Sequence, residues 1–153
     1  MSQFVRLTEQ DRPEITAHLL RLDPEARRRR FGSALKDSAV VAYVDRIDLS
    51  QGTLLGLRAE GGLRALAELF ADPSGAVAEA AFSVEQDWRG RGLGTALLDA
   101  ALARAGELGQ QRVVLYIQPG NQAMKRVAHK HAFDLHLDEG ELVAERALQP
   151  IAA

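Results

Sequence analysis

The sequence predicts a mixed α/β sheet of the α+β type, flanked by helices, in a single domain spanning residues 1–153. Three observations carry this. The first third of the chain shows apolar residues at helical spacing, and the middle shows alternating apolar residues broken by turn signals. The remainder runs strand, glycine-rich turn, helix, strand, helix and a closing hairpin.

Element by element, Phe4 to Leu7 alternates like a short strand. Thr8-Glu9-Gln10-Asp11 then offers capping residues, and Pro13 suits a first helical turn. Ile15, Leu19 and Leu22 give the segment Ile15 to Arg21 a helical apolar spacing. Asp23-Pro24-Glu25 repeats the start signal for a helix through Phe31, closed by Gly32. Asp37 is read as the cap of a third helix, Ser38 to Ile47, with Val40, Val41, Val44 and Ile47 on one face. Thr53 to Ala59 and Leu63 to Ala71 form a hairpin about Gly61-Gly62, and Asp72-Pro73-Ser74-Gly75 turns into a strand at Ala76 to Val84. A helix over Ala96 to Ala105 ends near Gly109, and Arg112 to Ile117 reads as a strand. The chain closes with a short helix after Asn121 and a hairpin of Asp134 to Asp138 and Glu141 to Leu148.

The chemistry concentrates in Arg89-Gly90-Arg91-Gly92-Leu93-Gly94-Thr95, the turn from a strand into a helix. Such a turn leaves helix N–H groups without partners, where the helix dipole also favours negative charge. Glycine at three alternate positions, 90, 92 and 94, removes the Cβ atoms that would hold a phosphate away, and Arg89 and Arg91 add positive charge. The turn suits a pyrophosphate. A P-loop requires Gly-Lys-Ser/Thr, and no such Lys is present. A Gly-x-Gly-x-x-Gly dinucleotide fingerprint fails because its last position falls on Thr95 or Leu97.

The spacing that fits is Arg89-x-x-Gly92-x-Gly94, which resembles the coenzyme A pyrophosphate loop of the GNAT superfamily of acetyltransferases. A second stretch, Asn121-Gln122-Ala123-Met124 followed by Phe133, resembles the family's Asn-x-x-Ala/Met helix, with Ala132 in place of the usual Gly. The resemblance covers residues 76 to 137 and implies the GNAT fold: a mostly antiparallel sheet splayed at its centre. It implies acetyl-coenzyme A as co-substrate, bound by Arg89, Gly90, Arg91, Gly92, Leu93, Gly94 and Thr95. Pantetheine would pair with backbone near Ser83 and Val84, and Asn121 would bond to it from the other side. A backbone N–H facing the thioester oxygen contributes ~3 kcal/mol in comparable sites.

The acceptor implied is a primary amine, of a small molecule or a protein lysine. With a pKa near that of lysine, about 10.4, it must lose a proton before attack. Glu79, a single carboxylate in the apolar run Ala78 to Val84, is the candidate base; a salt bridge to a neighbouring arginine is the structural alternative. Many relatives carry a tyrosine acid five residues before the Phe, where this chain has Ala128; Tyr116 either substitutes or packs. An acyl-coenzyme A-binding sensor or partner protein that has lost catalysis is therefore the second reading. A nucleotide-binding module is disfavoured by the failed spacings.

The 21 acidic and 19 basic residues suggest no general affinity for nucleic acid. The absence of cysteine excludes disulfides, thiolate metal sites and a cysteine acyl-enzyme, which points to direct attack in a ternary complex. No signal-peptide layout and no apolar run of membrane-spanning length occur, so a cytoplasmic protein without a membrane partner is expected. A homodimer is left open. Arg27 to Arg30 reads as a solvated helix face, or else as a basic rim for an acidic substrate or the 3′-phosphate of the coenzyme. His129, His131 and His136 lack a metal-ligand pattern, and Trp88 reads as a packing anchor.

Overall fold

Local chemistry starts the helices where the residue types place them. The Asp23 carboxylate accepts the Ala26 backbone N–H at 2.7 Å, Pro24 opens α2 (Pro24–Phe31), and Gly32 ends it at φ 86°. Thr8 and Asp11 bracket a 3-10 turn leading into α1 (Arg12–Leu20). The third helix, α3 (Asp37–Asp45), begins with Asp37 inside its first turn; Lys36 is the cap, and the helix stops two residues short of Ile47. The computed structural model describes residues 3–149; Met1, Ser2 and residues 150–153 of the one-domain reading lie outside them.

The strands are β1 (Val5–Arg6), β2 (Thr53–Ala59), β3 (Gly62–Ala71), β4 (Val77–Val84), β5 (Arg112–Ile117), β6 (Asp134–Asp138) and β7 (Glu141–Ala147). Between them run α4 (Leu93–Glu107) and α5 (Gln122–Lys130). They form one seven-stranded sheet in the order β1-β2-β3-β4-β5-β7-β6, antiparallel at every joint except the parallel β4–β5 pair. Helix α4 starts three residues earlier than Ala96, because Gly92 at φ 77° turns the chain directly into it. Its C-terminus is closed by Gly109 at φ 73°.

The sheet separates two cores. On one face Ile15, Leu19, Val40 and Val44 of α1 and α3 pack on Leu54, Leu63 and Leu66. On the other, Leu98 and Ala105 of α4 and Ala128 of α5 pack on Leu69, Ala80, Val113 and Leu115. Each fully buried leucine or isoleucine contributes roughly 1.5–3 kcal/mol. The helices α1–α3 cover only the β1–β4 half of their face. Over β5, β7 and β6 that face is open, and Tyr116 (53% exposed), His136 and Glu141 reach solvent from it.

Candidate active site

Strands β4 and β5 part company in the middle of the sheet. Their pairing covers only Val77–Glu79 against Arg112–Val114. Beyond that rung, Ala80 to Phe82 and Leu115 to Ile117 line a narrow cavity of about 50 Å³, closed at one end by Asn121 and Met124. Backbone direction decides what the gap presents. Glu85 N donates to Arg64 O on the β3 side, whereas Ala76 O accepts from Gln111 N on the β5 side. Alternation between these anchors turns the N–H and C=O groups of Ala80, Phe82 and Val84 into the gap. Ser83 instead pairs by backbone with Leu66 of β3.

The gap opens into a larger cleft of about 320 Å³. Ser83, Val84, Arg89, Gly90, Gly92, Leu93, Gly94, Thr95 and Asn121 all line it. Gly90 and Gly92 hold φ values of 75° and 77°, and a Cβ on either would meet nothing within 4 Å, so the space above the turn is free. Leu93, Gly94 and Thr95 are the first residues of α4, whose N–H groups have no carbonyl one turn back. A pyrophosphate fits both the space and the donors. Arg89 reaches back, donating through Nε to Val84 O at 3.2 Å and approaching Asp23 at 3.9 Å. Asn121 caps α5, its Oδ1 accepting from Met124 N at 3.2 Å, which leaves its amide N–H₂ for the cleft.

Two residues from the sequence reading lie apart from that cleft. Arg91 stacks on Trp88 at 4.4 Å and donates to Asp87 O, and Trp88 itself packs against Leu57, Leu93 and Leu97. Glu79 sits on the open face at the last β4–β5 rung, its side chain without a hydrogen bond or ion pair among the described residues. Burial by its surroundings raises its carboxyl above the usual range, the Arg30 charge works against this, and Glu68 and Glu141 add to it. Tyr116, on the same face of β5, is raised by burial and then by the charges of Glu79, Glu141, Asp138 and Glu145. Its half-exposed ring is not core packing. Ala128, by contrast, is fully buried beneath the sheet.

The arginine run divides by environment. Arg28 pairs with Glu25 in solvent. Arg27 is buried, donating to the carbonyls of Leu20, Leu22 and Leu35. Arg30 forms an enclosed cluster with fully buried Glu68 (2.7 Å) and Tyr43 (2.6 Å), and with Arg29 it lines the cleft. His131 is held by Asp99 and the Val127 carbonyl. Among the described residues no group of three or more His, Cys, Asp or Glu is arranged to hold a metal ion, and no helix is long and apolar enough to cross a membrane.

Sequence reasoning missed that enclosed cluster and a second buried arrangement. His18, with no exposure, places Nε2 2.8 Å from Ser83 Oγ and Nδ1 2.9 Å from Glu85 Oε2. Arg21 and Arg64 also donate to Glu85, at 2.9 and 3.0 Å. The available signal was His18 on the apolar stripe of Ile15, Leu19 and Leu22, with Ser83 and Glu85 alternating onto one face of β4.

The family model for the acetyltransferase (GNAT) family matches residues 37–133. Among solved structures, the GNAT domain of S. lividans PAT is 22% identical, with a TM-score of 0.80 over 95% of this chain and 89% of that one. A ribosomal-protein-alanine N-acetyltransferase from Brucella melitensis is 18% identical, with a TM-score of 0.73 over 95% and 99% of the two chains. A GNAT superfamily phosphinothricin acetyltransferase from Sinorhizobium meliloti, in complex with acetyl-CoA, is 16% identical, with a TM-score of 0.71 over 95% and 87%. At these identities the likeness is one of fold. No curated protein sequence matches the chain.

Proposed function

Because the chain belongs to the GNAT acetyltransferase family, we propose that its one domain moves an acetyl group from acetyl-coenzyme A to a primary amine, of a small molecule or a protein lysine, by direct attack in a ternary complex. The observation that carries this reading is the gap beyond Glu79 and Val114, continuous at Phe82 and Asn121 with the cleft over Gly90 and Gly92. Pyrophosphate on the α4 N-terminus would run pantetheine down the exposed edge of β4. There the Phe82 and Val84 N–H groups are the candidate donors to the pantetheine amides and thioester oxygen.

Glu79 accepts the proton of the incoming ammonium, directly or through water. Its raised carboxyl makes it a stronger base than an ordinary glutamate. The acceptor enters from the open face, where Glu79, Asp138, Glu141 and Glu145 surround Tyr116, so a cationic amine is attracted and an anionic one repelled. The departing thiol, of pKa about 8.5, leaves without a dedicated acid, which accommodates Ala128. Arg29, at the cleft wall, is the candidate partner for coenzyme phosphate.

Ala128 is also what favours the second reading, an acyl-coenzyme A-binding sensor; the unpaired Glu79 favours catalysis. Thiol release from acetyl-coenzyme A, measured across cationic, neutral and acidic amines and basic peptides, separates the two. Transfer to cationic acceptors supports the enzyme. Cofactor binding with no amine-dependent release supports the sensor.

A further inference from the structure

His18, Ser83 and Glu85 reproduce the relationships of a hydrolytic triad: a hydroxyl on one imidazole nitrogen at 2.8 Å and a carboxylate on the other at 2.9 Å. The direction of the hydrogen bonds follows from the partners. Glu85 also accepts from Arg21 and Arg64; burial pushes its carboxyl up, but the hydrogen bonds from His18, Arg21 and Arg64 together hold it below the usual range, so it only accepts. His18 Nδ1 therefore carries a hydrogen toward Glu85, and in the uncharged ring Nε2 is left to accept the Ser83 hydroxyl proton. That is the tautomer a general base requires.

The placement is as telling as the geometry. Ser83 lies between Phe82 and Val84, whose N–H groups face the thioester gap. The large cleft reaches Ser83 from the α1–α2 side, where Leu22 and Ala26 form its wall, while His18 is sealed from solvent behind it. Nothing in direct amine acetylation requires this trio. Resting on the reading that acyl-coenzyme A fills the cleft, we propose that Ser83, His18 and Glu85 form a second catalytic unit that hydrolyses short acyl-coenzyme A thioesters when no amine is present, through an acyl-serine at Ser83.

Ser83 Oγ bonds to the thioester carbonyl carbon as its proton passes to His18 Nε2. The carbon–sulfur bond breaks, and the thiolate takes that proton and leaves as coenzyme A. Water then attacks the Ser83 ester, giving a proton to Nε2. The carbon–oxygen bond to Ser83 breaks, Oγ recovers the proton, and a carboxylic acid departs. Glu85 keeps its charge throughout and orients the ring.

The test uses the full chain with acetyl-coenzyme A and no amine, with thiol release followed over time. Acid-quenched protein is weighed intact and mapped by peptide fragmentation, and acetyl-coenzyme A binding is measured by calorimetry. The expected result is amine-independent release in the wild type that falls at least tenfold in Ser83→Ala, with circular dichroism confirming the fold. Ser83→Cys, read by mass alone, retains the base and holds the acetyl group on residue 83. Equal release by wild type and Ser83→Ala, with residue 83 unmodified in both wild type and Ser83→Cys, overturns the triad. So does binding of acetyl-coenzyme A with neither release nor acylation, which leaves amine transfer standing. Absence of binding overturns both.

Discussion

Glu79 and Val114 form the last rung between β4 and β5, and the sheet opens immediately beyond them. The same residue that ends the pairing carries the unpaired carboxylate at the mouth of the gap. A backbone feature thus fixes the candidate base beside the place where a thioester would lie.

Glu79→Gln should lower amine acetylation about 100-fold at neutral pH, the lower end of what a positioned base contributes. The active form is the carboxylate. Wild-type turnover should therefore fall with decreasing pH through an inflection above that of an ordinary glutamate, as its raised carboxyl dictates. The variant should lack that inflection. A pH–rate series on both proteins checks it, and parallel profiles would assign Glu79 a structural role.

Gly92 and Gly94 offer a contrast between backbone strain and ligand clash. At φ 77°, Gly92→Val strains the chain by roughly 1–3 kcal/mol as well as crowding the cleft. Gly94 is helical, and an added Cβ meets only Val127 Cγ2 at 3.7 Å. Gly94→Ala should keep or raise stability, by up to about 1 kcal/mol, while lowering coenzyme A affinity. Calorimetric titration beside thermal unfolding measures both, and unchanged affinity would detach the loop from the cofactor.

Glu85→Gln should destabilise the fold by roughly 1–3 kcal/mol near neutral pH, since it weakens bonds to His18, Arg21 and Arg64 in a buried site. The sign with pH follows from its lowered carboxyl. Its contribution is complete above the unfolded value of about 4.3 and is lost as pH falls through the lower folded value. Denaturant unfolding of both proteins between neutral and acid pH should show the gap closing only at the acid end.

Ala132 closes α5 at φ 62°, a left-handed conformation that disfavours a side chain. Ala132→Gly should stabilise the protein by about 1 kcal/mol, a rise of roughly 2–4 °C at this size. A differential scanning experiment decides it, and a loss of stability would mean that the alanine methyl contributes packing that outweighs its strain.

The loop and the Asn121–Phe133 stretch were legible because each is local: a few consecutive residues set a turn, a helix start and a cap. The sheet was legible from alternation and turn chemistry. The Arg30–Glu68 and His18–Glu85 partnerships were not, since 38 and 67 residues separate the partners and composition cannot say which strand a helix will cover. The four arginines read as one solvated run, yet Arg27 and Arg30, three apart, share the helix face turned inward. Ser83 was legible as a residue of the strand that precedes the glycine turn, but its hydroxyl partner depends on how α1 docks.

The most direct measurement is thermal unfolding with increasing acetyl-coenzyme A, coenzyme A, ATP and NAD. A ligand at a hundred times its dissociation constant stabilises by ~2.7 kcal/mol, a shift of several degrees. A concentration-dependent rise with the two coenzyme A species alone is the predicted result. No rise with either, or an equal rise with ATP or NAD, would contradict the assignment of the cleft and the gap to acetyl-coenzyme A.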